Sequence, residues 1–254
     1  MTGLLSIKRC LISVSDKKGI VSLARILVKN DIEIYSTGNT YKKLILSKIN
    51  VNKVQSITRF PEILNGRVKT LHPKIFGAIL GDTHNPNHRK QMKKYDISKI
   101  QLLIVNLYPF EKIIENKGSF EEAIENIDIG GPSMIRAAAK NFLNTVIIVD
   151  SQDYKIVIMD IKKYGGVTLE TRKMLAVKAF RRTMKYDVAI SEWLNKEIEG
   201  KDRKVFSLEG RSLQALRYGE NPHQKAEVYT TKKIGNALFY TKLSGKALSY
   251  NNIN

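Results

Sequence analysis

Short apolar runs alternate with segments of helical periodicity through the first 150 residues, and no other feature narrows the possible folds as much. Leu11-Ile12-Ser13-Val14-Ser15 is apolar and β-branched, and the turn-forming Asp16-Lys17-Lys18-Gly19 closes it. Ile20, Leu23, Ala24 and Leu27 then recur at the spacing that lines one face of a helix. The pattern repeats. Ile32 to Ser36 predicts a second strand, Thr37-Gly38-Asn39 its exit turn, and Thr40 the N-cap of a helix carrying Leu44 and Ile45. Val51 to Val54 reads as a weaker third strand, and Leu102 to Leu107 and Thr145 to Val149 as strands buried on both sides. Such alternation implies a parallel α/β sheet with helices on both faces.

From Thr168 to Asn195 the pattern turns helical, with Leu175, Ala179, Ile190 and Leu194 as apolar positions. Gly200 to Lys204 is a polar break and the expected domain boundary, dividing residues 1–200 from 201–254. Beyond it, Val205–Leu208, Val228–Thr231 and Ala237–Leu243 are strand-like, too little for a second core, so the tail reads as the start of a larger domain.

The single cysteine, Cys10, cannot close an intrachain disulfide, no apolar run reaches membrane-spanning length, and Met1 to Ser6 makes no signal peptide. The expectation is a soluble, cytoplasmic protein without a membrane partner. A net charge of +19 invites a nucleic-acid reading. The lysine pairs are scattered, however, and no aromatic stacking pattern accompanies them, so solvated faces and a small phosphorylated ligand fit better.

In a parallel sheet, ligands gather where strand ends lead into helix N-termini. Ser13, Ser15, Asp16 and Lys17 follow the first strand, and Thr37, Gly38, Asn39 and Thr40 the second. Hydroxyls, free N–H groups and a lysine there suit a phosphate. Asp128-Ile129-Gly130-Gly131-Pro132-Ser133 opens a further helix, with Lys140 expected one or two turns along it, and its glycines admit a ligand close to the backbone. Arg67 and Lys69 flank Val68, so an extended segment points both cations one way. Asn106 and Tyr108 leave the strongest strand on a common face. His84 and His88 are four apart, but the intervening Asn85-Pro86-Asn87 argues against a helix and no carboxylate or thiol cluster completes a metal site.

Taken together, these residues resemble the bifunctional purine-biosynthesis family with inosinate (IMP) cyclohydrolase and AICAR transformylase activities. The resemblance rests on Ser13 to Lys17, Ser36 to Thr40, Gly66 to Pro73, Asn106 to Phe110, Asp128 to Pro132, Arg217 to Gln224 and Gly245 to Asn252, in that order. It implies a methylglyoxal-synthase-like α/β fold for residues 1–200 and the beginning of a transformylase domain after them. It also implies that Ser13, Ser15, Asp16, Lys17, Thr37, Gly38, Asn39, Thr40, Arg67, Val68 and Thr70 hold the phosphate and ribose. Val105, Asn106, Asp128, Ile129 and Gly130 would line the base end. Lys140 matches the proton donor and acceptor, with Lys69, Tyr108 and Asp128 beside it, and Arg217 and Tyr218 match a second nucleotide site. Asn39 stands where the family has Gly, and Phe76 where it commonly has His.

The implied reaction is dehydrative closure of 5-formamidoimidazole-4-carboxamide ribotide to IMP. It calls for proton transfer and oxyanion stabilisation and for no metal or cofactor; 10-formyltetrahydrofolate would serve only the transformylase. That second activity is not expected of this chain, and the family is expected to be homodimeric. Methylglyoxal synthase and a nucleotide-sensing regulatory domain are the rivals within the fold.

Overall fold

The computed structural model describes residues 3–199, 210–231 and 245–252. The chain enters through a two-residue strand, β1 (Leu4–Leu5), and then forms β2 (Arg9–Val14), α1 (Ile20–Lys29), β3 (Glu33–Ser36), α2 (Gly38–Leu46), β4 (Asn52–Lys53) and α3 (Gln55–Thr58). A 3₁₀ turn at Leu64–Gly66 leads to α4 (Pro73–Leu80), α5 (Pro86–Lys94), β5 (Leu102–Asn106), α6 (Phe110–Glu115), α7 (Phe120–Glu125) and α8 (Gly130–Lys140). β6 (Val146–Ile148), α9 (Tyr154–Tyr164), β7 (Val167–Thr168) and the 26-residue α10 (Leu169–Leu194) follow.

Five strands form one parallel sheet in the order β4-β3-β2-β5-β6. The period of two sorts their side chains onto two cores. Cys10, Ile12, Val14, Leu102, Ile104, Val146 and Ile148 face one way, against α1 and α9. Leu11, Leu103, Val105 and Ile147 face the other, against α4, α8 and α10. With both faces covered, Cys10 to Ile12 of β2 and Leu102 to Val105 of β5 are committed to packing. Binding groups are therefore left to the loops at the carboxyl edge. Cys10 is fully buried, and burial raises its thiol pKa well above the ordinary value, which makes it a core residue.

Two sequence expectations change. α2 begins after Thr37, not at Thr40, which is buried and donates from its hydroxyl to the Val14 carbonyl at 2.9 Å. Pro86 does not break a helix but starts one: the Asn85 side chain accepts from the Asn87 and His88 amides, and Pro86 takes the first helical position, where its missing N–H costs nothing. Thr168 caps α10 as expected, accepting from Thr171 N at 3.2 Å.

The chain divides into two compact units, Met1–Ile198 and Glu199–Asn254. In the second, β8 (Gly210–Ala215) and β9 (Glu227–Thr231) pair antiparallel, so the strand expected at Val228–Thr231 is present. Those expected at Val205–Leu208 and Ala237–Leu243 lie outside the described residues. Among the described residues, no helix is long and apolar enough to cross a membrane.

Candidate functional site

β3 lies on one side of β2 and β5 on the other, so the winding reverses between β2 and β5 and opens a crevice at their carboxyl ends. Asn106, the last residue of β5, spans it. Its Oδ1 accepts from Ser15 N at 2.6 Å and Asp16 N at 3.1 Å, and its Nδ2 donates to Asp16 O at 2.8 Å. The Asp16 carboxylate accepts from Lys18 N at 2.9 Å, and Lys17 Nζ turns back to the Ser15 carbonyl at 3.1 Å. Beside this loop stands the N-terminus of α2, where Gly38 takes a left-handed φ of 49°. Asn39 keeps a negative φ, so its departure from the family's glycine costs the turn nothing.

The facing wall is the start of α8. Asp128 Oδ1 accepts from Gly131 N at 2.8 Å, and a Cβ on residue 131 would collide with that carboxylate and with Leu107, so glycine is required there. Thr70 Oγ1 lies 3.3 Å from where a Cβ on Gly130 would stand, so the loop carrying Lys69 and Thr70 touches the same helix start. Burial pushes the Asp128 carboxyl above the ordinary carboxylate range, while the Gly131 and Gly130 amides and the Lys69 charge pull it back. Tyr186 reaches across from α10, accepting from Asp128 N at 2.8 Å and donating to Asn126 O at 3.2 Å. Burial pushes its phenol up to about 12, so it stays a neutral strut.

Some expected members sit differently. Arg67 closes the 3₁₀ turn in helical rather than extended conformation, and its guanidinium meets Glu125. Lys69 lies near Asp128 and Val68 bridges back to Ile63, so the three consecutive residues do separate jobs. Val105 is 1% exposed and gives its side chain to the core, not to the crevice. Ser13 is half-buried on β2 and Thr37 is buried at the head of α2, whereas Tyr108 and Ile129 stand exposed at the rim. Phe76 packs into the second core beside α8.

Lys140 is the largest departure. It ends α8, ten residues beyond Gly130 and so about 15 Å along the axis. Because α8 crosses from the carboxyl end of β5 to the start of β6, that end belongs to the opposite edge of the sheet. Within one chain Lys140 does not share the crevice with Asp128. Arg217 and Tyr218 belong to the second unit, where the guanidinium lies 5.2 Å from the tyrosine ring centre and backbone bonds join Arg217 to Leu248 and Tyr250 to Tyr218. Glu125 and Tyr186 were not anticipated, since each acts on a partner 58 residues away in sequence. Among the described residues, no group of three or more His, Cys, Asp or Glu is arranged to hold a metal ion.

The sheet is a doubly wound one with its crevice at the β2–β5 switch, and the match of the MGS-like domain model to residues 19–133 makes it a methylglyoxal-synthase-like domain. The model described as AICARFT/IMPCHase bienzyme matches residues 138–254. One match stops at residue 133 and the other starts at 138, both within α8 and inside the first unit, so they are not the two structural units. Two proteins named "Bifunctional purine biosynthesis protein PurH" align with nearly the whole chain. That of Bradyrhizobium diazoefficiens is 47% identical over 252 residues, 98% of this chain and 47% of its own length. That of Rhodospirillum rubrum is 49% identical over 255 residues, 98% of this chain and 48% of its own. The chain thus spans about half the length of these relatives. The crystal structure of ForH is 32% identical with a TM-score of 0.64, covering 74% of this chain and 98% of that one. The chain belongs to the AICARFT/IMPCHase family of bifunctional purine-biosynthesis proteins.

Proposed function

We propose that the first unit closes the ring of 5-formamidoimidazole-4-carboxamide ribotide to give IMP. The observation that carries this reading is the convergence of a phosphate cradle and an acid–base pair on one crevice. The Ser15 and Thr37 hydroxyls, the Lys17 side chain and the amides at the head of α2 receive the phosphate and ribose, and Asp128, Lys69, Thr70 and the α8 N-terminus receive the base.

In the reaction the carboxamide nitrogen attacks the formyl carbon, forming the new C–N bond, and charge develops on the formyl oxygen. Water then leaves with that oxygen, one proton having come from the carboxamide nitrogen and one from the formamide nitrogen. N–H groups at the start of α8 and the Lys69 ammonium stabilise the oxyanion, because the helix dipole and a fixed cation lie where charge develops. Asp128, with its pKa raised by burial, accepts and returns a proton more readily than a solvated aspartate. The step uses neither metal nor folate; 10-formyltetrahydrofolate is the co-substrate of the family's transformylase activity, to whose nucleotide site we assign Arg217 and Tyr218.

Lys140 takes part in this chemistry only if a second copy presents the end of its α8 to the crevice, so the reading includes a homodimer. The deciding experiment follows IMP formation from the formylated nucleotide by absorbance, with metal and folate omitted. Turnover that Asp128→Asn abolishes supports the assignment, and no turnover by the purified chain overturns it.

A further inference from the structure

The segment that carries Lys69 and Thr70 is an irregular one. Arg59, Leu64, Asn65 and Gly66 all have left-handed φ values, and a single bridge between Ile63 and Val68 closes its base. Left-handed backbone at Leu64 and Asn65 is unfavourable and must be held by surrounding contacts. One such contact crosses to the facing wall. Arg67 Nε donates to Glu125 Oε1 at 3.2 Å while its terminal nitrogen meets Glu125 Oε2, a two-point fork. Glu125 ends α7, three residues before Asp128. The Arg67 hydrogen bonds hold the Glu125 carboxyl below its ordinary range.

Resting on the ring-closure reading, we propose that Glu125 is a positioning residue: with Arg67 it latches the 63–72 loop to the α7–α8 segment, so that Lys69 and Thr70 stand over Asp128 and Gly130. Both partners are exposed, so the pair adds little to overall stability and acts through geometry. Arg67 then serves catalysis through the loop and not by gripping phosphate, since its Nε and one terminal nitrogen already face Glu125. A fork requires the guanidinium, and lysine cannot replace it.

The test uses Glu125→Ala, Glu125→Gln, Arg67→Lys and the Arg67→Ala/Glu125→Ala double variant. Three quantities are read: kcat, the Kd for IMP by calorimetry, and amide hydrogen exchange of residues 63–72. A latch predicts roughly 10- to 100-fold lower kcat in each variant. It also predicts IMP affinity within about twofold of wild type, a double variant no worse than either alanine single, and faster exchange confined to the loop. Tighter IMP binding in Glu125→Ala would instead make Glu125 a competitor that holds Arg67 off the phosphate. Unchanged exchange in Glu125→Ala overturns the latch directly. Exchange is readable even if the wild-type chain makes no IMP, so failure of the ring-closure reading is seen separately.

Discussion

At Asp128 two influences oppose each other, and their balance is measurable. Burial favours the protonated acid; the amides of Gly131 and Gly130 and the charge of Lys69 favour the anion, and burial is the largest. The native pKa therefore exceeds the unfolded one. As pH rises through that window, the folded state holds the proton longer than the unfolded state, and this group's contribution to stability declines. Wherever Asp128 is ionised, its carboxylate therefore costs the fold some stability. Lys69→Met removes the opposing charge, so the Asp128 titration midpoint, read by carboxyl carbon NMR, should move further up. The acid limb of kcat/KM should follow it on whatever activity is left. A midpoint that stays put or falls would mean that Lys69 does not face Asp128 electrostatically.

Among the elements, the amino edge of the sheet, away from the crevice, holds a buried polar knot. Lys99, 8% exposed, donates to the Ile79 carbonyl at 2.7 Å and to Thr145 Oγ1 at 2.8 Å. Asn141 and Thr145 also donate to Ile79 O, so the end of α4 is tied to the end of α8 and the approach to β6. Burial lowers the Lys99 amine from 10.5 to about 7, with Asp82 working weakly the other way. Between those two values the unfolded state holds a proton that the folded state lacks, so stability from this group rises with pH, is lost as pH falls towards 7, and is flat below. Its slope approaches about 1.4 kcal/mol per pH unit. Lys99→Met should remove that slope and raise the urea midpoint at pH 7, because Ile79 O keeps two other donors. An unchanged slope in the variant would place the titration elsewhere.

Legibility in the sequence divides along the same physical line. The five strands and their burial could be read because alternation is a local, periodic signal, visible in Leu102 to Leu107 without knowledge of any partner. The cradle residues could be placed because strand ends are where such folds bind ligands. Glu125 and Tyr186 could not be placed: their roles depend on contacts across 58 residues, and neither local pattern hints at the partner. The α5 start is hidden in the sequence because proline reads as a breaker until the residue before it is seen to cap.

For the whole molecule, the position of Lys140 is the constraint with the widest consequences. α8 runs from one edge of the sheet to the other, so its N-terminus and Lys140 serve opposite ends of the same unit. Along the neighbouring α10, Met174, Val177, Phe180 and Met184 stand exposed, and Arg136 of α8 lies over the Phe180 ring at 5.7 Å. An apolar stripe of this kind next to α8 is suited to burial against another protein surface. In a two-fold dimer the same patch meets itself, and antiparallel packing of two copies of α8 would bring each Lys140 to the other chain's crevice. Complementation tests this without any assumption about the interface. Lys140→Ala and Asp128→Asn chains should each be inactive alone, yet a heterodimer would unite the intact Asp128 of one with the intact Lys140 of the other. Co-refolded in equal amounts, they should recover about a quarter of wild-type turnover, since half the dimers are mixed and half their sites complete. If mixing recovers nothing although mixed dimers are demonstrated by native mass spectrometry, Lys140 does not serve the other chain's crevice; a Lys140→Ala chain that turns over on its own would leave proton transfer to Lys69 and Asp128 alone.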